Sequence, residues 1–299
     1  MANLKEVRER IASVKNTRQI TSAMKMVSAA KLRKAQSAIQ DMRPYANKMD
    51  EMLRNILSNL DGSVDLSYGK ERKVTDRACL VVVTSSRGLC GAFNSNIIKA
   101  AVRCIDEQYP GFRAEGKLSI LCIGKKGYDF FKKRYADCEI IDDYVDLFND
   151  LRFDQVAPIA DRLMQAFEDG TYDHISVVYA HFRNAAMQYP MTETFLPVPK
   201  IELDEEEDAG KKRADYIFEP DQEQLLEHLI PSILRMNFHK YMLDTHASEH
   251  GARMTAMDKA SENADELLRE LRISYNKARQ EAITKELSEI VGGAAALEG

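Results

Sequence analysis

A glycine-rich turn is the first segment whose residue types and spacing could support chemistry. It reads SSRGLCGAFN over residues 85–94 and follows the apolar, valine-rich run 79–83. Turns between a strand and a helix bind phosphate groups in many nucleotide enzymes. Gly88 and Gly91 are separated by only two residues, which fits neither G-x-G-x-x-G nor G-x-x-x-x-G-K-[ST]. The spacing therefore predicts a structural turn whose glycines supply backbone freedom, and no cofactor is expected.

Cys90 lies within this turn and would need a neighbouring general base to act as a nucleophile. The sequence places no His or Asp beside it. Paired carboxylates in a cleft pattern and a Ser/His/Asp arrangement are not recognisable elsewhere. We therefore predict no catalytic residues, and we expect that the chain is not itself an enzyme.

A second candidate is the pattern H-x-x-E-H formed by His246, Glu249 and His250, which is typical of one class of zinc proteases. Two histidines four residues apart share one face of a helix, as a pair of metal ligands must. A third ligand is not identifiable downstream, and the surrounding segment has the pattern of a shaft rather than of a cleft wall. The sequence therefore predicts a solvated histidine pair and no metal site.

The composition describes the elements that carry these residues. The chain has 299 residues, of which 44% are hydrophobic and 30% are charged, as expected for one large or two ordinary globular domains. Its longest apolar run is 78–83, far below the roughly 18 residues that span a bilayer, so direct membrane insertion is not expected. Five scattered cysteines without a C-x-x-C pair predict reduced thiols.

Glycine and proline divide the chain into three parts. Residues 1–60 contain no Gly and only Pro44, and residues 232–291 contain no Pro and only Gly251, so both flanks are predicted to be very long helices. Between them, Val- and Ile-rich runs alternate with helical stretches. This alternation predicts an α/β domain with a largely parallel sheet. The runs are 79–83, 118–123 and 175–179, and one helical stretch is 155–167.

The two flanking helices have the seven-residue periodicity of a coiled coil. Because each is the other's nearest candidate partner, we expect them to pair in antiparallel orientation. In the first helix the predicted seam positions are Ala35, Met42, Met49 and Ile56, interleaved with Ala38, Tyr45 and Met52. In the last helix they are Ala260, Leu267 and Ser274, interleaved with Ala264, Leu271 and Ala278.

Charge is distributed unequally between these helices. Residues 1–34 contain nine basic and two acidic residues, a local charge of +7, whereas residues 253–299 contain seven basic and nine acidic residues. One face is therefore predicted to be strongly positive, which suits solvent, nucleic acid or an acidic protein collar. No aromatic residue before Tyr45 is available to stack on bases, and the whole chain has a net charge of −5. Both observations disfavour nucleic acid.

Four segments resemble one protein family from end to end. They are residues 11–36, the turn 85–94 with its T-[SD]-x-[RK]-G-L-C-G signature, DYIFEPD at 215–221, and residues 247–297. All resemble the γ subunit of F-type ATP synthase, the central rotor shaft. Ser86 stands where many relatives have Asp, and the regulatory cysteine insertion of chloroplast members is absent.

The resemblance implies an antiparallel coiled coil formed by the terminal helices and a Rossmann-like central domain. The implied division is 1–70, 71–214 and 215–299. It implies a rotor that couples transmembrane ion flow to ATP synthesis or hydrolysis by turning within a ring of catalytic and non-catalytic nucleotide-binding subunits. Further implied partners are the ε subunit and the membrane rotor c-ring. The implied location is peripheral, on the cytoplasmic side of the cell membrane.

Positions of contact follow from the same resemblance. Met24 is implied to face the catalytic-subunit loops, and the apolar end 290–297 is implied to turn within a hydrophobic sleeve. Further implied catalytic-subunit contacts are the basic Lys25, Lys31, Arg33 and Arg279, and Arg253, Gln280, Thr284 and Glu286, which form a catch to the surrounding ring. Tyr216 and Glu219 are implied to contact the rotor ring.

An alternative of another class stays open at this point. The α/β domain could bind a nucleotide as an enzyme, with the coiled coil as a dimerisation arm. Nucleotide binding by the isolated chain would favour this alternative. A nucleic-acid adaptor is a more distant third reading, for which salt-sensitive DNA retention by residues 1–60 would be the signature.

Overall fold

The computed structural model describes residues 4–58, 67–69, 77–198 and 222–298. The chain divides into two compact units, which we call the helical unit (Met1–Ala29 with Arg253–Gly299) and the sheet unit (Ala30–Ala252). Two long helices, α1 (Leu4–Ser58) and α6 (Gln222–Glu298), contribute residues to both units. The predicted long terminal helices are confirmed.

The described residues of the sheet unit form five strands and four shorter α-helices between the ends of α1 and α6. Val81, Val82 and Val83 in β1 and Ile175, Val177 and Val178 in β4 are β-branched, a residue type that the extended backbone favours. In chain order the elements are β1 (Ala78–Val83), α2 (Phe93–Gln108), α3 (Pro110–Ala114), β2 (Leu118–Ile123), α4 (Lys125–Arg134), β3 (Glu139–Ile141), α5 (Phe153–Glu168), β4 (His174–Phe182) and β5 (Gln188–Leu196).

The strands form one sheet in the order β3-β2-β1-β4-β5. β1 pairs in parallel with both β2 and β4, with Val82 opposite Cys122 on one side and Val178 on the other. β5 runs antiparallel to β4. The predicted α/β, Rossmann-like fold is confirmed, and the antiparallel edge strand is an addition that the sequence did not predict. The strand order reverses between β1 and β4, which makes this junction the topological switch point of the sheet.

Both faces of the sheet are covered, so β1 is buried along its whole length. Leu80 and Val82 pack on the side of α2 and α4, and Val81 and Val83 pack on the side of α5. The second core also includes Met49 of α1 and Met242 of α6. Parallel strands buried on two faces carry continuous apolar sequences, which is why the runs were recognisable.

The helical unit is an antiparallel pair. Residue numbers rise along α1 while those of its partners in α6 fall by nearly the same amounts. Arg8 donates to the Tyr275 hydroxyl over 3.0 Å, Arg18 to Asp265 Oδ1 over 2.7 Å, and Lys25 to Asp258 Oδ1 over 2.5 Å. Between them, the Thr21 and Ser261 hydroxyls lie 2.8 Å apart. This register confirms the predicted antiparallel coiled coil in the residues of this unit.

Two interleaved series of seam positions were predicted for each helix, and in each helix one of the two series is wrong by one position. In α6 the series containing Ala264 is correct, but Leu268 is 4% exposed whereas the predicted Leu267 is only half-buried and Ser274 is exposed. In α1, Ala35 and Met49 are buried and Met42 is half-buried, as predicted, whereas the Ile56 side chain lies outside the described residues. In the other series Ile39 is 9% exposed whereas the predicted Tyr45 is 62% exposed. Small and polar residues flank the seam, so periodicity alone did not distinguish neighbouring positions.

The five cysteines are free thiols, and all of them are buried in the sheet unit. Burial raises the pKa of Cys79 and Cys122 to about 12 because the thiolate would lose its hydration. The prediction of reduced thiols is confirmed. Among the described residues, no helix is apolar over a length that would cross a bilayer.

Candidate functional site

The glycine-rich turn is closed by its own side chains. The Ser85 backbone N–H donates to Asn94 Oδ1 over 3.0 Å, and the Ser85 hydroxyl donates to the Arg87 carbonyl over 2.7 Å. Positive φ angles occur at Gly91 and, unexpectedly, at Leu89, while Gly88 has none. The structural-turn prediction therefore holds, but Leu89, not Gly88, adopts the left-handed conformation.

A neighbouring turn braces this one from β2. Gly124, at the start of α4, has φ +92°, and a Cβ on it would lie 2.0 Å from the Thr84 carbonyl oxygen. The Thr84 hydroxyl accepts a hydrogen bond from the Gly127 backbone N–H over 2.8 Å. The carboxyl ends of β1 and β2 are thus joined by backbone contacts at the place where a phosphate would approach a nucleotide-binding sheet.

The carboxyl end of β4, at the switch point, is occupied by α6 of the same chain. The Ala180 backbone N–H donates to the Thr245 hydroxyl, and the Ser248 hydroxyl donates to the Ala180 carbonyl, each over 3.2 Å. Ala180 lies beyond Val178, the last β4 residue that pairs with β1. Ligands of doubly wound sheets bind in the crevice at this junction. The β1–β4 pairing ends before Ala180, and here the side chains of Thr245 and Ser248 bond to the backbone N–H and carbonyl of Ala180 instead.

One polar contact and one aromatic contact also pack α6 against the same strands. His181 Nδ1 lies 3.0 Å from Asp244 Oδ2, and burial raises the pKa of Asp244 above its usual range although the bond to His181 opposes this shift. The Tyr241 ring lies 4.5 Å from the Tyr179 ring, and the Tyr179 hydroxyl donates to Glu193. All buried side-chain polar atoms among the described residues have a hydrogen-bond partner. The segment is therefore packed as core.

The histidine pair differs from its prediction. His250 is 5% exposed and His246 is half-buried, so the predicted solvated pair is wrong. Their Nε2 atoms lie 3.1 Å apart, and the Phe148 ring stacks on His246 at a centroid distance of 6.0 Å. The pair is buried because this part of α6 covers the sheet instead of projecting into solvent. Among the described residues, no group of three or more His, Cys, Asp or Glu is placed to hold a metal ion.

The contacts predicted on α1 have different environments. Met24 is half-buried, and Lys25 is held by Asp258 with 42% of its side chain exposed. Lys31 and Arg33 are exposed. At least three of the basic residues counted from the sequence, Arg8, Arg18 and Lys25, contact α6 of the same chain. Part of the predicted positive face is therefore used within the coiled coil.

The contacts predicted on α6 lie in two separate places. Arg253 is 7% exposed, whereas Arg279, Gln280, Thr284 and Glu286 are all exposed. At about 1.5 Å per residue, Arg253 and Gln280 are roughly 40 Å apart along the helix, so they do not form one site. Tyr216 and Glu219 lie outside the described residues.

The helical unit has two exposed apolar stripes, whereas its surface was predicted from the sequence mainly by the distribution of positive charge. Ile20 and Val27 are 60% and 57% exposed and share one face of α1 with Met24, at spacings of four and three. On α6, Ile283, Leu287 and Ile290 are 49%, 57% and 68% exposed with the same spacing. Exposed apolar patches are typical of interaction surfaces. The stripes could have been recognised from the sequence, because their apolar residues lie at positions outside the seam between the two helices.

The geometry thus defines an α/β protein with a long antiparallel coiled coil and a ligand crevice filled by its own helix. The family model described as ATP synthase matches residues 3–297. An ATP synthase gamma chain of Cytophaga hutchinsonii is 49% identical over 297 residues, covering 99% of each chain. Another, of Flavobacterium psychrophilum, is 50% identical over the full length of both chains. The chain belongs to the ATP synthase gamma chain family.

Solved structures support the fold independently. A chain of the Euglena gracilis mitochondrial ATP synthase, in an assembly of OSCP, F1 and c-ring, aligns with a TM-score of 0.63 at 23% identity. The alignment covers 98% of this chain and 94% of that chain. A chain from the rotor of the same enzyme has a TM-score of 0.61 at 24% identity. At these identities, the similarity establishes the architecture.

Proposed function

We propose that this chain is the central-stalk rotor subunit of an F-type ATP synthase. It couples transmembrane ion flow to ATP synthesis or hydrolysis by turning inside the catalytic hexamer. Full-length identity of about one half to gamma chains supports this assignment. The observation that carries it is the antiparallel helical pair with exposed apolar stripes on both helices, because a subunit that works inside a ring needs an outer surface to contact.

The mechanism follows from the unequal faces of the pair. α1 contributes the positive charge and the stripe containing Ile20 and Val27, and α6 contributes acidic residues such as Asp258 and Asp265. Such a rod presents a different surface to each of three otherwise identical catalytic subunits. The three catalytic subunits then differ in their affinity for nucleotide, and rotation of the rod passes each affinity state from one subunit to the next. Because linkage is reciprocal, ion flow that turns the rod drives the condensation of ADP and phosphate to ATP. Hydrolysis of ATP turns the rod in the opposite direction.

The chain itself acts without catalysing a bond change. At the switch point, where a nucleotide would bind, Thr245 and Ser248 are hydrogen-bonded to the backbone of Ala180. This occupation by α6 disfavours the alternative of a nucleotide-binding enzyme. Residues 1–70 and 215–299 serve as the shaft, and residues 71–214 serve as the domain nearer the membrane.

The partners are the catalytic and non-catalytic nucleotide-binding subunits, the ε subunit and the membrane c-ring. The contacts are Met24, Lys25, Lys31, Arg33, Arg253, Arg279, Gln280, Thr284 and Glu286 toward the hexamer, and Tyr216 and Glu219 toward the c-ring. The chain is peripheral to the cell membrane on its cytoplasmic side. The similar chains of known structure belong to an assembly of OSCP, F1 and c-ring and to a rotor, which supports this set at the level of the complex.

Reconstitution tests the assignment. The full chain is added to the catalytic and non-catalytic subunits of a close relative, and the complex is placed in vesicles with its membrane sector. We expect ATP-driven ion pumping that requires the chain. Pumping that is equally strong without it, or nucleotide binding by the isolated full chain at micromolar concentration, would contradict the proposal.

A further inference from the structure

The histidine pair of α6 has the geometry of two metal ligands, independently of the proposed function. His246 and His250 are separated by one helical turn, and their Nε2 atoms face each other at 3.1 Å. Zinc–nitrogen bonds are about 2.0–2.1 Å long, so an ion bound to both atoms would subtend an angle of about 100°. This value lies between the square-planar and tetrahedral angles. The helix therefore holds the two atoms at a distance that one ion can bridge.

The surroundings fix both rings before an ion arrives. Phe148 stacks on His246 with an interplanar angle of 17°, and the two imidazoles meet edge to face at 86°. His250 is 5% exposed, so its ring has little freedom to turn away. A ligand pair whose rotamers are locked by packing loses little entropy on binding.

The half-buried ring of His246 gives an ion access to the pair. Two neutral imidazoles that share a hydrogen bond have one Nε2 that donates and one that accepts. An ion bound to both Nε2 atoms requires the donor ring to carry its hydrogen on Nδ1 instead. This change of tautomer leaves the total number of protons unchanged.

The same surroundings limit the protein ligands to two. No third His, Cys, Asp or Glu is grouped with the pair among the described residues, so water completes the coordination. Imidazole ligands suit Zn²⁺, Cu²⁺ and Ni²⁺, whereas Mg²⁺ and Ca²⁺ prefer oxygen. We propose that His246 and His250 form a two-histidine site for a divalent transition-metal ion of the Zn²⁺ type. The ion would brace α6 where it covers the carboxyl end of β4.

Titration of the full chain with Zn²⁺ alone tests the site. We expect one ion per chain, and we expect His246→Ala and His250→Ala each to reduce the affinity by more than the roughly 10–100-fold typical of an outer-shell partner. His228→Ala is the matched control, because His228 is exposed on the same helix, and it should leave binding unchanged. Absence of binding, or equal binding by the His246→Ala variant, would overturn the proposal.

A measurement on the unaltered chain covers the case in which His250→Ala does not fold. With ¹⁵N-labelled histidine, the ring-nitrogen signals of two of the six histidines should shift on addition of one equivalent of Zn²⁺. Those two signals should be the ones that are missing or altered in the His246→Ala variant. If the shifted signals belong to other histidines, the assignment of the site is wrong.

Discussion

Lys25 and Asp258, 233 positions apart in the sequence, are joined by a hydrogen-bonded ion pair of 2.5 Å between Nζ and Oδ1. The pair fixes the register of α1 against α6 in the helical unit, together with the Arg18–Asp265 pair seven residues away on each helix. Both side chains are nearly half-exposed, at 42% and 46%, so solvent weakens the attraction.

The first prediction follows from this pair. Lys25→Asp places two carboxylates together and should reduce the stability of the helical pair by about 0.2–1 kcal/mol, the range measured for exposed ion pairs. The exchange Lys25→Asp with Asp258→Lys should restore most of the loss. Thermal unfolding followed by circular dichroism in a double-mutant cycle measures the coupling. A coupling energy near zero would show that the pair sets no register.

The second prediction concerns the exposed basic residues of α1. Lys31→Glu with Arg33→Glu should weaken assembly with the catalytic ring or lower coupled activity, and the loss should be largest at low salt, where screening is weakest. Adding Lys25→Glu should increase the loss less than either of the other changes, because Asp258 already holds Lys25. Coupled ATP hydrolysis in the reconstituted complex measures the effect.

A matched control separates position from net charge. Lys99→Glu with Arg103→Glu introduces the same charge change on exposed positions of α2. We expect it to leave coupled hydrolysis unchanged. Equal losses in the two double variants would remove the basic face of α1 from the mechanism.

The third prediction concerns the anchoring of α6 at the switch point. Thr245→Val leaves the buried Ala180 N–H without its acceptor and should cost about 1–3 kcal/mol in the free energy of unfolding. Thr284→Val is the control, since Thr284 is exposed and bonds only the Gln280 carbonyl of its own helix, and it should stay within about 0.5 kcal/mol. Urea unfolding measures both. Similar effects would mean that Thr245 does not anchor the helix.

The fourth prediction compares two glycines with positive φ. Gly124→Ala should prevent stable folding, because its Cβ would lie 2.0 Å from the Thr84 carbonyl oxygen. Gly116→Ala has φ +67° but no atom within 4 Å, so it should cost only the roughly 1–2 kcal/mol of the left-handed conformation. The yield of soluble protein and the midpoint of thermal unfolding distinguish them. A stable Gly124→Ala variant would show that the two turns separate easily.

The fifth prediction concerns thiol reactivity. Burial raises the pKa of Cys79 and Cys122 to about 12 and that of Cys104 and Cys138 to about 11. A raised pKa lowers the thiolate fraction at pH 8 to about one in a thousand or less, and the thiolate is the reactive form. These thiols should react with a disulfide reagent only after unfolding or as the pH approaches their pKa. Rapid labelling of any of the four at pH 8 in the native chain would contradict this.

Much of the fold was predictable because the signals are local. The strands β1, β2 and β4 are continuous Val- and Ile-rich runs, since each is buried on both faces. The scarcity of Gly and Pro predicted long helices at both ends, although α6 extends beyond the predicted 232–291 and includes Pro231. Strand β5 was missed because it is an edge strand with an exposed, mixed sequence that includes Pro190.

The candidate sites were less predictable because burial at a given helical position depends on what packs against it. His246 and His250 have the spacing of a solvated pair and of a metal pair alike, and only the packing of Phe148 and the sheet separates these environments. Likewise, Lys25 looked like a free positive charge until Asp258 was placed beside it.

By itself, the amino-acid sequence determined the two long terminal helices, the three Val- and Ile-rich strands of the sheet, and the need of the long helices for partners, because propensity and periodicity act over a few neighbouring residues. Only the tertiary structure decided which series of positions forms the seam, so that Ile39 and Leu268 are buried while Tyr45 and Ser274 are exposed. It also decided that α6 covers the switch point through Thr245 and Ser248. These choices depend on contacts between residues far apart in the chain, whose energies no local pattern contains.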